Sequence, residues 1–144
     1  MAHLRDLDEA LELMHFGFRA IVTGPDRDLA RRGLGRVHHR VLYFVRRNDG
    51  LTVGDLVRIL GVTKQALHRP LADLVTRRLV VREPDADNRR FVRLRLSRAG
   101  AAFERKLSGT QRRHFARVFA RVGERSERGW CDVMRDLAAG LSTT

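Results

Sequence analysis

The stretch VTKQALHRPLADL, residues 62–74, has the spacing of a helix with a proline inside it. Thr63 is a favourable N-cap, and apolar residues recur on one face at Leu67, Leu71 and Leu74. Pro70 has no N–H for the carbonyl of Ala66 and its ring crowds that carbonyl, at a cost of about 3 kcal/mol in a helix interior. Two interpretations are open. The helix is kinked or tightened at Pro70, or it starts late and Pro70 lies in its first turn, where proline costs little.

A shorter helix is predicted immediately before this one. Thr52 can cap it, Asp55 three residues later forms a weak capping box, and Gly61 suits its left-handed C-cap. A helix, a tight glycine turn and a basic helix have the layout of a helix-turn-helix. We expect the small side chain of Ala66 where the two helices cross. The polar residues that then face outward are Lys64, Gln65, His68 and Arg69.

A β-hairpin is predicted after the second helix. Residues 78–83 (RLVVRE) are short and apolar, and residues 84–90 (PDADNRR) form a polar turn. Residues 91–97 (FVRLRLS) alternate, which is typical of a strand. One face of this strand carries Val92, Leu94 and Leu96. Arg93 and Arg95 give the other face a basic character, and a hairpin in this position is a wing.

Helices are predicted on both sides of this central region. A narrow apolar stripe with alternating spacings of three and four runs along residues 4–22, through Leu4, Leu7, Leu11, Met14, Phe18 and Ile21. The stripe fits a core-facing helix, or packing against another helix such as one from a second chain. We expect this helix to end near Gly24 and Pro25. Residues 34–47 are predicted to form the next helix.

The C-terminal third is also predicted to be helical. Ser97 can cap a helix that runs unbroken to Gly123 or is interrupted near Gly109. Ser126 is expected to cap a last helix, which carries Trp130, Val133, Met134, Leu137 and Leu141.

The bulk composition favours a nucleic-acid partner. The 144 residues carry 29 Lys and Arg against 17 Asp and Glu, a net charge of +12. Such a basic chain indicates binding to nucleic acid, although a solvated basic surface is the alternative. No apolar run approaches the roughly 20 residues of a membrane span, so we expect no membrane contact and a cytoplasmic location. The single cysteine, Cys131, excludes an intrachain disulfide and a multi-cysteine zinc site.

With the turn, the basic helix and the wing in place, the run from about Leu34 to Leu107 resembles the MarR family of bacterial transcription regulators. The resemblance rests on GVTKQALHR, the later LVVRE and NRR, and the LS–G pair before the next helix. It implies a mainly α fold with a small β-hairpin wing. The winged helix-turn-helix lobe would span residues 34–97, between dimerisation helices at 1–33 and 98–144. It also implies a homodimer, with interlocked terminal helices, that binds a palindromic operator in double-stranded DNA, with repression as the expected mode.

Two positions depart from the family pattern. Asn88 stands where the resemblance implies an aspartate that braces the wing, with Asp87 beside it. Pro70 stands where a residue compatible with a helix interior is usual.

The candidate DNA contacts fall in two groups. In the recognition helix they are Thr63, Lys64, Gln65, His68 and Arg69, and the alternative for them is a solvated polar face. Gln65 suits adenine, and Arg69 suits guanine or phosphate. At the wing tip, Arg89 and Arg90 are expected to contact the minor groove or its phosphates.

Other chemistries find little support in the sequence. His38 and His39 are adjacent and point about 100° apart on a helix, which is unfavourable for chelating one metal. We expect no metal, no cofactor and no enzyme activity, because no nucleophile–base motif or glycine-rich phosphate loop is present. Cys131 is expected to be a buried, inert thiol rather than a redox switch. Members of the family respond to small phenolic or lipophilic ligands, so the resemblance admits a small-molecule effector. The rival hypothesis is a ligand- or protein-binding module that keeps the fold but has lost DNA readout.

Overall fold

The computed structural model describes residues 3–143, with side chains up to residue 141. This part of the chain forms six α-helices and one antiparallel hairpin, which confirms the predicted mainly α fold with a small β-hairpin. In chain order they are α1 (Leu4–Ala30), α2 (Arg36–Arg47), α3 (Val53–Leu60), α4 (Lys64–Thr76), β1 (Val80–Pro84), β2 (Val92–Leu96), α5 (Arg98–Val122) and α6 (Glu124–Ala139). A short 3-10 turn, Gly140–Thr143, follows. No helix of the described residues is long and apolar enough to cross a membrane.

The chain divides into two compact units, Met1–Thr110 and Gln111–Thr144. The first unit contains the hydrophobic core, in which side chains from five helices and both strands meet. Its most deeply buried members include Leu29, Val41, Leu42, Leu56, Leu67, Leu71, Leu74, Leu94 and Leu107. This core fixes α3, α4 and the hairpin against α2, and it therefore positions the helix-turn-helix and the wing.

The first helix is longer than the sequence predicted. We expected it to end near Gly24 and Pro25, but α1 continues to Ala30 with Pro25 inside it. Leu29, in the turn after the proline, is fully buried in the core. Burial of one leucine contributes about 1.5–3 kcal/mol, which offsets most of the roughly 3 kcal/mol cost of an internal proline. Asp26 adds an ion pair to Arg36 of α2, with 2.9 Å between carboxylate oxygen and guanidinium nitrogen.

The hairpin is joined along one edge to the turn after α2. Its register pairs Val80 with Leu96 and Pro84 with Val92. The turn after α2 lies along the free edge of β2, where the amide of Gly50 donates to the carbonyl of Leu94 at 3.1 Å and the amide of Leu94 donates to the carbonyl of Leu51 at 2.9 Å. The hairpin is thereby joined by backbone hydrogen bonds to the start of the helix-turn-helix.

The junction between β2 and α5 is tightly packed. Ser97 caps α5 as predicted, because its hydroxyl accepts from the amide of Gly100 at 3.0 Å. The same hydroxyl donates to the carbonyl of Arg78 at 2.6 Å, and the Ser97 amide donates to the carbonyl of Leu79 at 3.1 Å. A Cβ at Gly100 would lie 1.9 Å from that carbonyl oxygen, so only glycine fits there.

A buried polar network links α2 to α5 inside the first unit. The His39 ring nitrogen Nε2 lies 3.1 Å from the Ser108 hydroxyl, and that hydroxyl donates to Glu104. The other oxygen of Glu104 lies 3.0 Å from Nη1 of Arg46, an ion pair without the angle of a hydrogen bond. Because Ser108 donates to Glu104, the histidine Nε2–H is the donor to Ser108. Burial lowers the pKa of His39 despite the nearby Glu104, so this histidine is neutral at pH 7.

The second unit contains the end of α5 and all of α6. Helix α5 is continuous through Gly109 to Val122, so the unbroken alternative is correct. The predicted cap at Ser126 is wrong, because α6 begins at Glu124 after Gly123, whose φ of 90° makes the turn between the two helices. Within this unit the rings of Phe115, Phe119 and Trp130 pack with centroids 5.2–5.8 Å apart. Cys131 is half-buried rather than fully buried.

Apolar side chains on both terminal helices are exposed in the single chain. On α1 they are Leu4, Leu7, Leu11, Met14 and Phe18 of the predicted stripe, joined by Leu13 and Phe16 outside it. On α6 and just after it they are Trp130, Val133, Leu137 and Leu141. No described residue of α6 is buried. The core of the chain therefore does not account for either set.

Candidate nucleic-acid interface

The recognition helix α4 separates its apolar and polar residues cleanly. Leu67, Leu71 and Leu74 are buried, and all five of the predicted contact residues, Thr63, Lys64, Gln65, His68 and Arg69, are exposed. Thr63 is the N-cap, with its hydroxyl oxygen accepting from the amide of Ala66 at 3.0 Å. That hydroxyl keeps its own proton for donation to an acceptor outside the chain.

Pro70 lies in the interior of α4. The helix starts at Lys64, so the interpretation that it starts late is wrong. The half-buried proline follows the exposed residues Lys64 and Gln65, and Ala66, whose carbonyl receives no N–H from Pro70, is exposed as well. The expectation that Ala66 lies at the helix crossing is wrong, since Leu67 occupies the buried side of that turn.

The wing tip presents both of its arginines to solvent. Arg89 and Arg90 are exposed in the turn between the strands. Asn88 shapes this turn, because its side-chain oxygen accepts from the amide of Arg90 at 3.1 Å and its carbonyl accepts from the amide of Phe91 at 3.0 Å. The residue that departs from the family pattern therefore holds the tip locally.

A cleft of about 680 Å³ separates the recognition helix from the wing. Lys64 and His68 line it from α4, and Arg82 and Arg90 line it from the hairpin. Its apolar lining comes from the core-facing residues Val53, Leu67, Leu71 and Val92. The structure thus brings together three of the predicted contact residues around one cleft. Thr63, Gln65, Arg69 and Arg89 do not line it.

The cations of this surface differ in whether they have an acidic partner. Within the described residues no carboxylate pairs with the predicted cations Lys64, Arg69, Arg89 and Arg90. By contrast, the face of β2 predicted to be basic is neutralised. Arg93 pairs with Asp85 at 3.1 Å, and Arg95 pairs with Glu83 at 3.1 Å. α4 and the wing tip therefore carry exposed positive charge that no described carboxylate neutralises, and a phosphate backbone could be bound there.

Three cationic side chains that line the cleft were not among the predicted contacts: Arg58, Arg82 and Arg93, the last of which the sequence placed only on a basic strand face. Arg82 follows the buried Val80 by two positions on β1, so strand alternation places it on the same, inward face and could have identified it. Arg58 of α3 also lines the cleft, but it is paired with Asp55. Asp55 in turn completes the capping box: the Thr52 amide donates to its carboxylate, and the Asp55 amide donates to the Thr52 hydroxyl. Hydrogen bonding from Thr52 to the carboxylate lowers the pKa of Asp55.

His38, near the start of α2, makes two structural hydrogen bonds. Nδ1 of His38 accepts from the amide of Gly35 at 3.0 Å, which makes Nε2–H the donor to Asp73 of α4 at 3.1 Å. This bond ties α2 to the recognition helix. No group of three or more His, Cys, Asp or Glu side chains among the described residues could hold a metal ion.

The sequence and the fold are similar to those of known transcription regulators. A family model described as "MarR family" matches residues 32–90. The HTH-type transcriptional regulator PetP of Rhodobacter capsulatus is 37% identical over 128 residues, a match that covers 89% of this chain and 77% of PetP.

Two solved structures extend the comparison. A MarR family transcriptional regulator from Silicibacter pomeroyi has a TM-score of 0.75 at 25% identity, over 91% of this chain and 88% of that chain. A MepR variant from S. aureus, solved bound to an oligodeoxyribonucleotide, has a TM-score of 0.63 at 16% identity, over 92% of this chain and 97% of that chain. At that identity the MepR likeness concerns the fold alone.

Proposed function

The chain belongs to the MarR family of helix-turn-helix transcriptional regulators, and from this premise we propose that it binds a palindromic operator in double-stranded DNA as a homodimer and represses transcription there. The observation that carries the proposal is the exposed, unpaired positive charge of α4 and the wing tip on two sides of one cleft. MepR, which shares the fold, was solved bound to DNA.

Base readout is assigned to the outward face of α4. The N-terminal part of a recognition helix contacts base edges in the major groove, and Lys64, Gln65 and His68 are exposed there. Gln65 has the donor and acceptor that match adenine, and Arg69 has the fork that matches guanine or a phosphate. Thr63 can donate its hydroxyl proton to a phosphate at the helix start.

Affinity is assigned largely to phosphate contacts from the wing. Arg89 and Arg90 extend from the hairpin tip, where a duplex seated on α4 would present its minor groove and adjacent phosphates. Neutralising phosphates releases condensed counterions, so the binding constant falls as the salt concentration rises. Phosphate contacts also fix the register of α4 on the bases.

The homodimer is supported by the apolar side chains that the single chain leaves exposed. Burying a large apolar side chain contributes about 1.5–3 kcal/mol, so the stripes on α1 and α6 favour a partner helix. We assign dimerisation to residues 1–33 and 98–144 and DNA binding to residues 34–97. A two-fold axis between two chains presents two α4 helices, and a palindromic operator matches that symmetry.

Salt-dependent titration tests this function. The protein is titrated by fluorescence anisotropy onto duplex DNA from upstream of its own coding sequence, at several salt concentrations. We expect a steep linear decrease of log K with log salt, which Arg90→Ala makes shallower by about 1 for each phosphate that is no longer neutralised. Arg125→Ala on α6 removes the same charge and should leave the slope almost unchanged. Binding that is absent at low salt would contradict the proposed function and favour the module without DNA readout.

A further inference from the structure

One side chain joins the wing to the helix-turn-helix. Nη1 of Arg93 donates to the carbonyl of Gly50 at 3.1 Å, and Nη2 donates to the carboxylate of Asp85 at 3.1 Å. Gly50 precedes α3, and Asp85 directly follows β1. The guanidinium therefore spans from the start of the helix-turn-helix to the base of the wing loop.

Asp85 closes the base of the wing loop. Besides its ion pair with Arg93, its backbone amide donates to the carbonyl of Phe91 at 2.9 Å, so the residue is held on both sides of the loop. Only 18% of the Asp85 side chain is exposed, whereas residues 86–90 at the tip are all exposed. Donation from Arg93 lowers the pKa of Asp85, so the carboxylate stays ionised through the neutral range. Asp87 makes no side-chain contact within the described residues, and Asn88 bonds only inside the tip turn.

We propose that Asp85 and Arg93 are positioning residues for DNA binding, because their ion pair, together with the hydrogen bond from Arg93 to the Gly50 carbonyl, orients the wing that carries Arg89 and Arg90. The inference rests on the proposed DNA-binding function. It places the brace of this chain at Asp85 rather than at the family position, Asn88. Two contacts from one guanidinium, one of them charge-assisted, fix orientation better than a single contact, which is why Arg93 can align the loop.

Charge and positioning predict opposite effects of removing Asp85. Asp85→Asn removes a negative charge from the DNA-facing side of the protein, so long-range electrostatics alone predict tighter binding. Loss of orientation predicts weaker binding, because the wing arginines must then be ordered when DNA binds. We expect the second effect to win and the dissociation constant to rise roughly tenfold, the scale of one charge-assisted contact.

The test compares matched variants in one DNA titration. Asp85→Asn and Arg93→Gln should both weaken binding, whereas Asp87→Asn, with the same charge change in the same loop, should bind as tightly as the unsubstituted protein or more tightly. In an Arg90→Ala background, Asp85→Asn should have much less effect, since the brace acts through the wing arginines. A general loss of stability would instead add the same penalty in both backgrounds.

A second measurement examines the wing without DNA. Trypsin cleaves after arginine, so cleavage at Arg89 and Arg90 reports how freely the tip moves. We expect faster cleavage there in Asp85→Asn than in Asp87→Asn, with similar melting temperatures. Unchanged or tighter DNA binding by Asp85→Asn, or unchanged cleavage, would overturn the positioning role and leave the proposed function intact. Failure of the unsubstituted protein to bind DNA would overturn the proposed function instead, and with it the inference.

Discussion

Replacing Gly100 by alanine tests how the wing is attached to α5. The added Cβ would lie 1.9 Å from the carbonyl oxygen of Leu79 and 2.8 Å from its carbonyl carbon. Ordinary contact begins at 3.4 Å, and the obstructing atoms belong to the backbone, so no side-chain rotation can make room. The start of α5 must move away from Leu79, which strains the hydrogen bond from the Ser97 amide to that carbonyl.

The expected loss of stability follows from three terms. Overpacking a filled site costs about 1–3 kcal/mol. Weakening one hydrogen bond to Leu79 adds about 0.5–1.5 kcal/mol. Alanine regains about 0.5–1 kcal/mol of helix stability relative to glycine. The net loss is therefore about 2 kcal/mol, which lowers the melting temperature of a chain of this size by roughly 4–8 °C.

Thermal denaturation followed by circular dichroism, at one protein concentration, measures this loss. Gly54→Ala is the control within the same unit, because its Cβ would meet only Thr52 Oγ1 at 3.8 Å. We expect Gly54→Ala to melt at or above the temperature of the unsubstituted protein. If Gly100→Ala melts no lower than Gly54→Ala, the close approach of α5 to Leu79 is not a constraint on the fold.

Three further predictions concern the recognition helix and the buried histidine. Pro70→Ala restores a helix N–H, so thermal melting should show equal or greater stability. If the proline sets the angle of the contact surface, the variant should bind the operator more weakly. Unchanged operator affinity would show that the proline does not set this angle. Gln65→Ala should cost about 1–3 kcal/mol on the operator and little on random duplex, and an equal loss on both in competition titrations would exclude base readout. Burial holds the pKa of His39 below 6.5, so the unfolded chain gains a proton first and stability should decrease as the pH falls below about 6.5. Melting curves recorded between about pH 7.5 and about pH 5.5, which span the titration of histidine, measure this decrease in stability. The decrease should be smaller in His39→Asn and unchanged in the exposed His68→Asn. Equal decreases in the two variants would refute the prediction.

Local chemistry was sufficient to predict the helix-turn-helix and the hairpin from the sequence. Thr52 and Gly61 delimit α3, and Thr63 starts α4; all three caps are made by contacts within a few residues of the chain. The alternation of apolar and polar residues around Leu94 likewise predicted β2, because this pattern indicates a strand with one buried face whichever strand pairs with it. The family resemblance added the expected homodimer and operator, which the single chain does not display.

Contacts between distant residues account for what the sequence did not predict. Pro25 is a stop signal by local rules, and only the burial of Leu29 in a core formed by later elements overrides it. Arg93 reaches Gly50 across 43 residues of the chain, so its role as a brace has no local signature. The pairing of His39 with Ser108 spans 69 residues and is hidden for the same reason.

Footprinting on DNA upstream of the protein's own coding sequence tests the central claim most directly. We expect two protected half-sites related by two-fold symmetry, with centres about 10–10.5 base pairs or a multiple of that apart. We also expect two chains for each protected site, and loss of the footprint in Gln65→Ala at a concentration where the unsubstituted protein protects fully. Protection that is absent, or that has no symmetry and is unaffected by Gln65→Ala, would contradict sequence-specific binding by a homodimer through α4.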